Sequence, residues 1–141
     1  MYTKAFSLIE IIFTIAIISI LAIVAIPKLQ NTLTKADIIK IKGDITLIRD
    51  GLIKYKNKQI LANDTTSLVS LEEDDSLLFG KILKYPIIAS NFHHTRSWEK
   101  ISNNSYKVWL TTDQFLEFSY DSTNYTFDCD KNNQLCEEYN Q

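Results

Sequence analysis

"KAFSLIEIIFTIAIISILAIVAIPKLQ", residues Lys4–Gln30, is the stretch that decides the fold of this chain. From Phe6 to Ile26 it contains a single charged residue, Glu10. A helix of that length spans roughly 32 Å, close to the ~30 Å hydrocarbon core of a bilayer. Its many apolar residues outweigh the cost of about 3 kcal/mol for inserting one acid. The sequence therefore predicts a helix that can enter a membrane, in which the lone carboxylate needs a partner or a function.

Three ordinary interpretations compete for this segment. A secretory signal peptide has an apolar core of about 7–15 residues and a small-x-small cleavage site, but this run is longer and no such site occurs before Pro27. A simple membrane anchor would tolerate Glu10 close to the interface. A buried helix of a soluble domain would need a polar face for water, and this segment has none.

The residues before Phe6 offer a fourth interpretation. Met1–Ala5 is a short leader with one charge, Lys4. If a peptidase cuts between Ala5 and Phe6, the new α-amino group lies about one helical turn before Glu10. An amine and a carboxylate at that separation attract strongly in a medium of low dielectric constant. In a filament, Glu10 of one subunit would instead meet the amine of its neighbour, so cleavage supplies the missing partner.

This arrangement resembles the N-terminus of the type IV pilins and type II secretion pseudopilins. The resemblance is carried by Lys4 in the leader, by Glu10 as the fifth residue after the cut, by the unbroken apolar run and by Pro27. The family normally has glycine before the cut, where this chain has Ala5. The resemblance implies cleavage after Ala5, N-methylation of Phe6, assembly through Glu10 and a helix kink at Pro27.

The resemblance also implies a domain organisation and a function. Residues 1–5 are a leader, residues 6–27 a transmembrane and filament-core helix segment, and residues 28–141 an exported head. The chain would be a structural subunit of a type IV pilus, or of a secretion or competence pseudopilus. Its partners would be prepilin peptidase, other pilin or pseudopilin subunits, an inner-membrane assembly platform and the membrane before assembly. The expected location is the bacterial inner membrane, single-pass with the head in the periplasm, and then the filament.

Apolar residues continue after the run at helical spacing. Intervals of three and four residues separate Ile38, Ile41, Ile45, Ile48, Leu52 and Tyr55. We expect one helix from about Phe6 to about Leu61, with its second half packed under the head. Gly43 and Gly51 each weaken this helix by up to about 1 kcal/mol and favour a bend.

The remainder of the chain predicts a small sheet. Acids followed by an apolar cluster in residues 70–86 predict a short helix, and residues 87–104 a variable loop. Alternating apolar and polar residues then predict three antiparallel strands, Tyr106–Leu110, Leu116–Tyr120 and Tyr125–Cys129. The expected fold class is α+β: a long N-terminal α-helix, membrane-spanning in its first half, packed on a small C-terminal antiparallel β-sheet in a pilin-like arrangement.

The two cysteines of the chain, Cys129 and Cys136, lie close together near the C-terminus. In an exported domain such a pair predicts a disulfide bond. The loop that it would close resembles the disulfide-bounded C-terminal region of many type IV pilins.

No cofactor or metal is expected. Asp128, Asp130 and Asn132 have the spacing of a calcium loop, but the glycine and the final acid of such a loop are missing. His93 and His94 are adjacent and lack nearby acids, so they make a poor metal site.

The sequence contains no catalytic signature, so an enzyme is not expected. Its net charge of −2 does not attract nucleic-acid phosphates as a whole. A local basic patch at His93, His94, Arg96 and Lys100 leaves nucleic-acid binding open but without further support. The alternative function is a single-pass, membrane-tethered periplasmic binding or enzymatic domain with an ordinary anchor.

Overall fold

The computed structural model describes residues 7–90 and 92–139, with the side chains of residue 24 and residues 26–34 outside the description. Within them, helix α1 (Leu8–Ala62) comes first and helix α2 (Cys136–Tyr139) last. An antiparallel pair and an antiparallel four-stranded sheet of order β3-β4-β5-β6 lie between them. The strands are β1 (Leu77–Leu78), β2 (Ile87–Ile88), β3 (Trp98–Ser102), β4 (Ser105–Trp109), β5 (Phe115–Asp121) and β6 (Thr126–Cys129). The predicted α+β class, with a long N-terminal helix and a small antiparallel sheet, is confirmed.

The chain divides into two compact units, Met1–Ala36 and Asp37–Gln141. The described part of the first unit is helical from Leu8 onward. Across the residues that the structure describes, no helix combines the length and the apolar character needed to cross a membrane. The membrane-spanning half of the predicted fold is not confirmed.

In the second unit, the apolar stripe of α1 forms one side of the core. Ile41, Ile45, Ile48 and Leu52 are fully buried, and Ile38 packs against the same cluster. The sheet supplies the other side with Trp98, Tyr106, Val108, Leu116, Phe118, Tyr120 and Phe127. Burying one such side chain contributes about 1.5–3 kcal/mol, so this packing holds helix and sheet together. The predicted helix stripe is confirmed.

Helix α1 ends in a hydrogen-bonded cap close to the predicted position. Asn63 has a left-handed backbone with φ of 52°. Its N–H donates to the Ile60 carbonyl at 3.2 Å, and the Asp64 N–H donates to the Gln59 carbonyl at 2.9 Å. These two bonds form a Schellman motif, which satisfies carbonyls that the helix end leaves open.

The short helix predicted within residues 70–86 is wrong. Asp74 uses its side chain to accept from the Ser76 N–H at 2.9 Å, which makes a turn instead of a helix cap. Phe79 has a φ of 63°, which no right-handed helix contains. This conformation costs a non-glycine residue roughly 1–2 kcal/mol. Phe79 is nevertheless fully buried, with its ring centroid 4.8 Å from that of Tyr106, so aromatic packing offsets the cost.

The loop predicted for residues 87–104 is also wrong, because it contains β2 and β3. Strand β3 pairs with β4 through Trp98 opposite Val108 and Lys100 opposite Tyr106, but its register shifts between Lys100 and Ser102. This bulge breaks the two-residue alternation that identifies a strand in sequence. The three strands that were predicted correspond to β4, β5 and β6.

Gly51 allows a close approach that its sequence context does not indicate. It is buried, and a Cβ at this position would lie 2.8 Å from the Ile82 carbonyl oxygen. A Cβ at Gly43 would meet no atom within 4 Å. Gly51 therefore lets the 79–83 turn lie directly against the helix backbone, whereas Gly43 only weakens the helix.

We predict opposite effects for alanine at the two glycines. Gly51→Ala should lower the free energy of unfolding by about 1–3 kcal/mol, because the backbone of the 79–83 turn must move away. Gly43→Ala, the matched control, should raise it by up to about 1 kcal/mol through helix propensity. Denaturant unfolding of the full chain in detergent, followed by tryptophan fluorescence, measures both. Similar effects at the two positions would contradict the close approach.

Candidate assembly surface

The start of α1 has a sequence pattern that caps helices. Ser7 lies directly before the first helical residue, Leu8, and Glu10 is in the first turn. The Glu10 N–H donates to the Ser7 carbonyl at 3.0 Å. Ser-x-x-Glu at these positions is the sequence pattern of a capping box, in which the glutamate side chain can bond the backbone N–H of the serine. This pattern would give Glu10 a local role that the resemblance to pilins does not imply.

The described first half of α1 exposes apolar side chains in every direction. Leu8 and Ile9 are more than 70% exposed, and Phe13 is 66% exposed. The other exposed apolar residues of this part are Ile11, Ile12, Ile15, Ile17, Ile18, Ile20, Leu21 and Ile23. The hydroxyl groups among them are satisfied within the helix, since Thr14 and Ser19 donate to the carbonyls of Ile11 and Ile15 at 2.8 Å. Glu10 is therefore the single charge on an apolar cylinder that has no polar face.

The other predicted N-terminal site residues stay predictions. The cleavage site, Ala5 and Phe6, and the methylated amine of Phe6 lie outside the described residues. Pro27 is within α1, and its side chain is also outside the description.

The predicted disulfide bond between Cys129 and Cys136 is present. The two Cα atoms are 5.8 Å apart, and both residues are buried at 3% exposure. The bond joins the end of β6 to the start of α2. Closing so short a loop stabilises the head by about 2–3 kcal/mol in the chain-entropy model.

A buried carboxylate ties the segment after α1 to the sheet. The side chain of Glu72 is 2% exposed and accepts hydrogen bonds from the Tyr106 hydroxyl at 2.6 Å and from the Ser70 hydroxyl at 3.0 Å. Lys100 Nζ lies 3.2 Å from Glu72 Oε2, the oxygen that accepts from Ser70, and 2.8 Å from Asp75. Each oxygen of Glu72 therefore has a partner, as a buried charge requires.

The pKa values in this network follow from its geometry. Burial, with the hydrogen bond to Glu72, raises the pKa of Tyr106 far above its ordinary value. The hydrogen bond to Asp75, aided by Glu72, raises the pKa of Lys100. Lys100 therefore stays charged and Tyr106 neutral over the whole physiological range.

The basic patch considered for nucleic acid is largely neutralised in the structure. Arg96 Nε lies 3.1 Å from Asp37, and Lys100 is paired with Glu72 and Asp75. His93 stacks on Trp109 with ring centroids 3.7 Å apart. Positive charge that is already paired attracts phosphates weakly.

The acids considered for calcium have other partners. Asp128 lies 3.7 Å from the Arg49 guanidinium, and Asp130 accepts from the Asn132 N–H at 3.0 Å. Within the described residues, no group of three or more His, Cys, Asp or Glu side chains could hold a metal ion.

Comparison with known proteins returned no match among family models, curated proteins or solved structures.

We predict that the Glu72 network is a main anchor of the head. Glu72→Ala should lower the free energy of unfolding by about 3 kcal/mol, because it leaves Tyr106 and Lys100 without their buried partner. Asp75→Ala removes a carboxylate from the same lysine, but Asp75 is 90% exposed and should cost less than about 1 kcal/mol. Urea unfolding of the full chain in detergent tests both variants. Equal, small losses would show that the network contributes little.

Proposed function

We propose that this chain is a structural subunit of a pilin-like filament: a type IV pilus, or a secretion or competence pseudopilus. Prepilin peptidase would cut after Ala5, and the first half of α1 would hold the subunit in the inner membrane, single-pass with the head in the periplasm. An assembly platform would then move it into a filament whose core consists of these helices. The chain's partners are other pilin or pseudopilin subunits, and its role is not enzymatic.

One observation carries the proposal: an apolar helix surface without a polar side, bearing one charge in its first turn. An apolar surface of this extent is unfavourable in water. Exposed apolar patches larger than a few hundred Å² mark interaction sites. A bilayer and a bundle of like helices both cover a cylinder on all sides. The bundle additionally supplies a partner for the carboxylate, namely the new amine of a neighbouring Phe6.

The second candidate is a periplasmic binding or enzymatic domain tethered by an ordinary anchor. The Ser-x-x-Glu pattern at the start of α1 favours it, because a capping box would give Glu10 a local partner that needs neither cleavage nor assembly. The two candidates differ in the N-terminus of the mature protein and in the consequence of losing the charge at residue 10.

We expect the mature chain to begin at Phe6 with a methylated amine. Mass spectrometry of the protein from envelopes measures this, and an intact Met1 or a cut after Pro27 would support the tethered domain. Ala5→Leu should leave the chain uncut, because a bulky residue blocks the peptidase, whereas Ala5→Gly should be cut at least as well as the parent. Normal processing of Ala5→Leu would place the cleavage site elsewhere.

Two substitutions at Glu10 separate its charge from its capping role. Glu10→Gln keeps a side chain that completes a capping box, and Glu10→Val loses both properties. If the charge pairs with the Phe6 amine, both variants should be exported and cleaved but should be strongly depleted from sheared filaments.

The measurement compares processed monomer in the membrane with subunit in filaments, using the variant chain as the sole source. Depletion of Glu10→Val alone would assign Glu10 to the cap. Normal incorporation of both variants would overturn the pairing.

A further inference from the structure

The head has unpaired positive charge on α1. Lys54 and Lys58 are four residues apart, so they lie on the same face of the helix. Both are exposed, and neither forms an ion pair with any residue that the structure describes. This face is away from the core, which α1 contacts through Ile48 and Leu52.

The head has unpaired negative charge on α2. Glu137 and Glu138 are exposed and likewise form no ion pair within the described part of the chain. Their positions are fixed, because the buried residues on either side, Cys136 and Tyr139, are held by the disulfide bond and by the core. Such a short helix could not keep two acids in place without these anchors.

These opposite charges lie at opposite ends of the head's helix. Strand β6 runs along the head's part of α1 toward its beginning, since the ring centroids of Tyr125 and Tyr55 are 6.4 Å apart and the Phe127 carbonyl accepts from Arg49. The strand ends at Cys129, whose disulfide bond holds Cys136 and α2 at that end. Helix α2 is therefore beside the beginning of the head's part of α1. At about 1.5 Å per residue, Lys54 is roughly 26 Å further along the helix than Asp37. The two pairs are too far apart to meet within one molecule.

We propose that heads of this chain associate head to tail, with Glu137 and Glu138 of one copy against Lys54 and Lys58 of the next. A second copy displaced along the axis of α1 brings the two pairs together. The contact joins two different surfaces, so it is heterologous and propagates into an open filament unless a rotation closes it. This pairing rests on the proposed function. It would orient neighbouring heads in the filament in the same direction, and the partner of each head is another copy of this chain.

The competing explanation is that these four charges only solvate the surface. One exposed ion pair changes an equilibrium by at most about fivefold, and salt screens it. Two pairs repeated at each subunit still give a measurable preference at low ionic strength. Sequence-specific pairing, unlike solvation, can be restored by exchanging the charges.

Zero-length carbodiimide crosslinking tests the contact directly, since it joins a lysine to a carboxylate only where they touch. Full-length ¹⁴N and ¹⁵N chains are mixed in detergent at low salt and at high salt. We expect mixed-isotope crosslinks from Lys54 or Lys58 to Glu137 or Glu138, reduced severalfold by salt. The absence of these crosslinks, or crosslinks spread evenly over all exposed lysines, would overturn the pairing.

Charge reversal provides the second arm. Glu137→Lys/Glu138→Lys should reduce filament incorporation roughly tenfold, and adding Lys54→Glu/Lys58→Glu should restore it. Glu73→Lys/Asp113→Lys makes the same change in net charge at other exposed acids and should have little effect. Glu137→Gln/Glu138→Gln, a milder change, should cause a smaller reduction without altering the disulfide bond.

The outcomes separate this contact from the proposed function. Normal incorporation of the Glu137→Lys/Glu138→Lys chain refutes the pairing while the filament role stands. The same conclusion follows if adding Lys54→Glu/Lys58→Glu does not restore incorporation. If the parent chain is absent from filaments but forms the mixed-isotope crosslinks, the filament role fails and the head-to-tail contact stands.

Discussion

The sheet of this head needs a cover over one of its faces, and α1 is that cover. Phe118 and Phe127 stack with centroids 5.0 Å apart on the inner face, and neither could remain in water without a second layer. The helix supplies this layer through Ile41, Ile45 and Ile48. Because the same helix continues from the first unit, its sequence must serve two environments. In the head it is apolar on one side only, whereas from Leu8 to Ile23 it is apolar all round.

Both edges of the sheet are protected against pairing with the strands of other chains. An open edge strand is a template for pairing with other chains unless it is blocked. On β6, Arg49 Nε donates to the Phe127 carbonyl at 3.0 Å, which occupies an edge acceptor. On β3, the bulge between Lys100 and Ser102 and the charge of Lys100 protect the edge. A filament built from these heads would therefore depend on helix packing and complementary charges and not on shared sheets.

The parts of the fold that follow a regular period could be predicted from sequence. The stripe from Ile38 to Tyr55 and the alternation in β4, β5 and β6 have the periods of a half-buried helix and half-buried strands. The disulfide bond could also be predicted, because the chain has only two cysteines. These features depend on local spacing, which the sequence displays directly.

The parts that depend on single contacts could not be predicted. Phe79 is held in a left-handed conformation by rings that approach it from β3, β4 and β6, and no local pattern indicates this. In the sequence Glu72 is one member of an acidic run. In the structure it is buried and contacts Tyr106 and Lys100, which are distant from it along the chain. Gly51 appeared to be a helix defect, and only the position of Ile82 explains it. Within the candidate site, the Ser7–Glu10 pattern could have been predicted from sequence, since a capping box is a local motif.

Glu10 could cap the helix before cleavage and pair with the Phe6 amine afterwards, and the two interactions differ in free energy. The cap is local and can form before cleavage, because the Ser7 N–H is present in the uncut chain. It also agrees with the helix dipole, whose positive end favours an acid in the first turn. A capping interaction is typically worth about 1 kcal/mol, however, and burying an unpaired carboxylate among apolar helices costs several kcal/mol. A cap alone therefore explains why a polar residue is tolerated at the helix start; glutamine would complete it too, and the helix dipole adds only about 0.3–1 kcal/mol in favour of the charged form. The proposed cleavage before Phe6 would supply a full positive charge, which compensates a buried carboxylate far better than the end of a helix does.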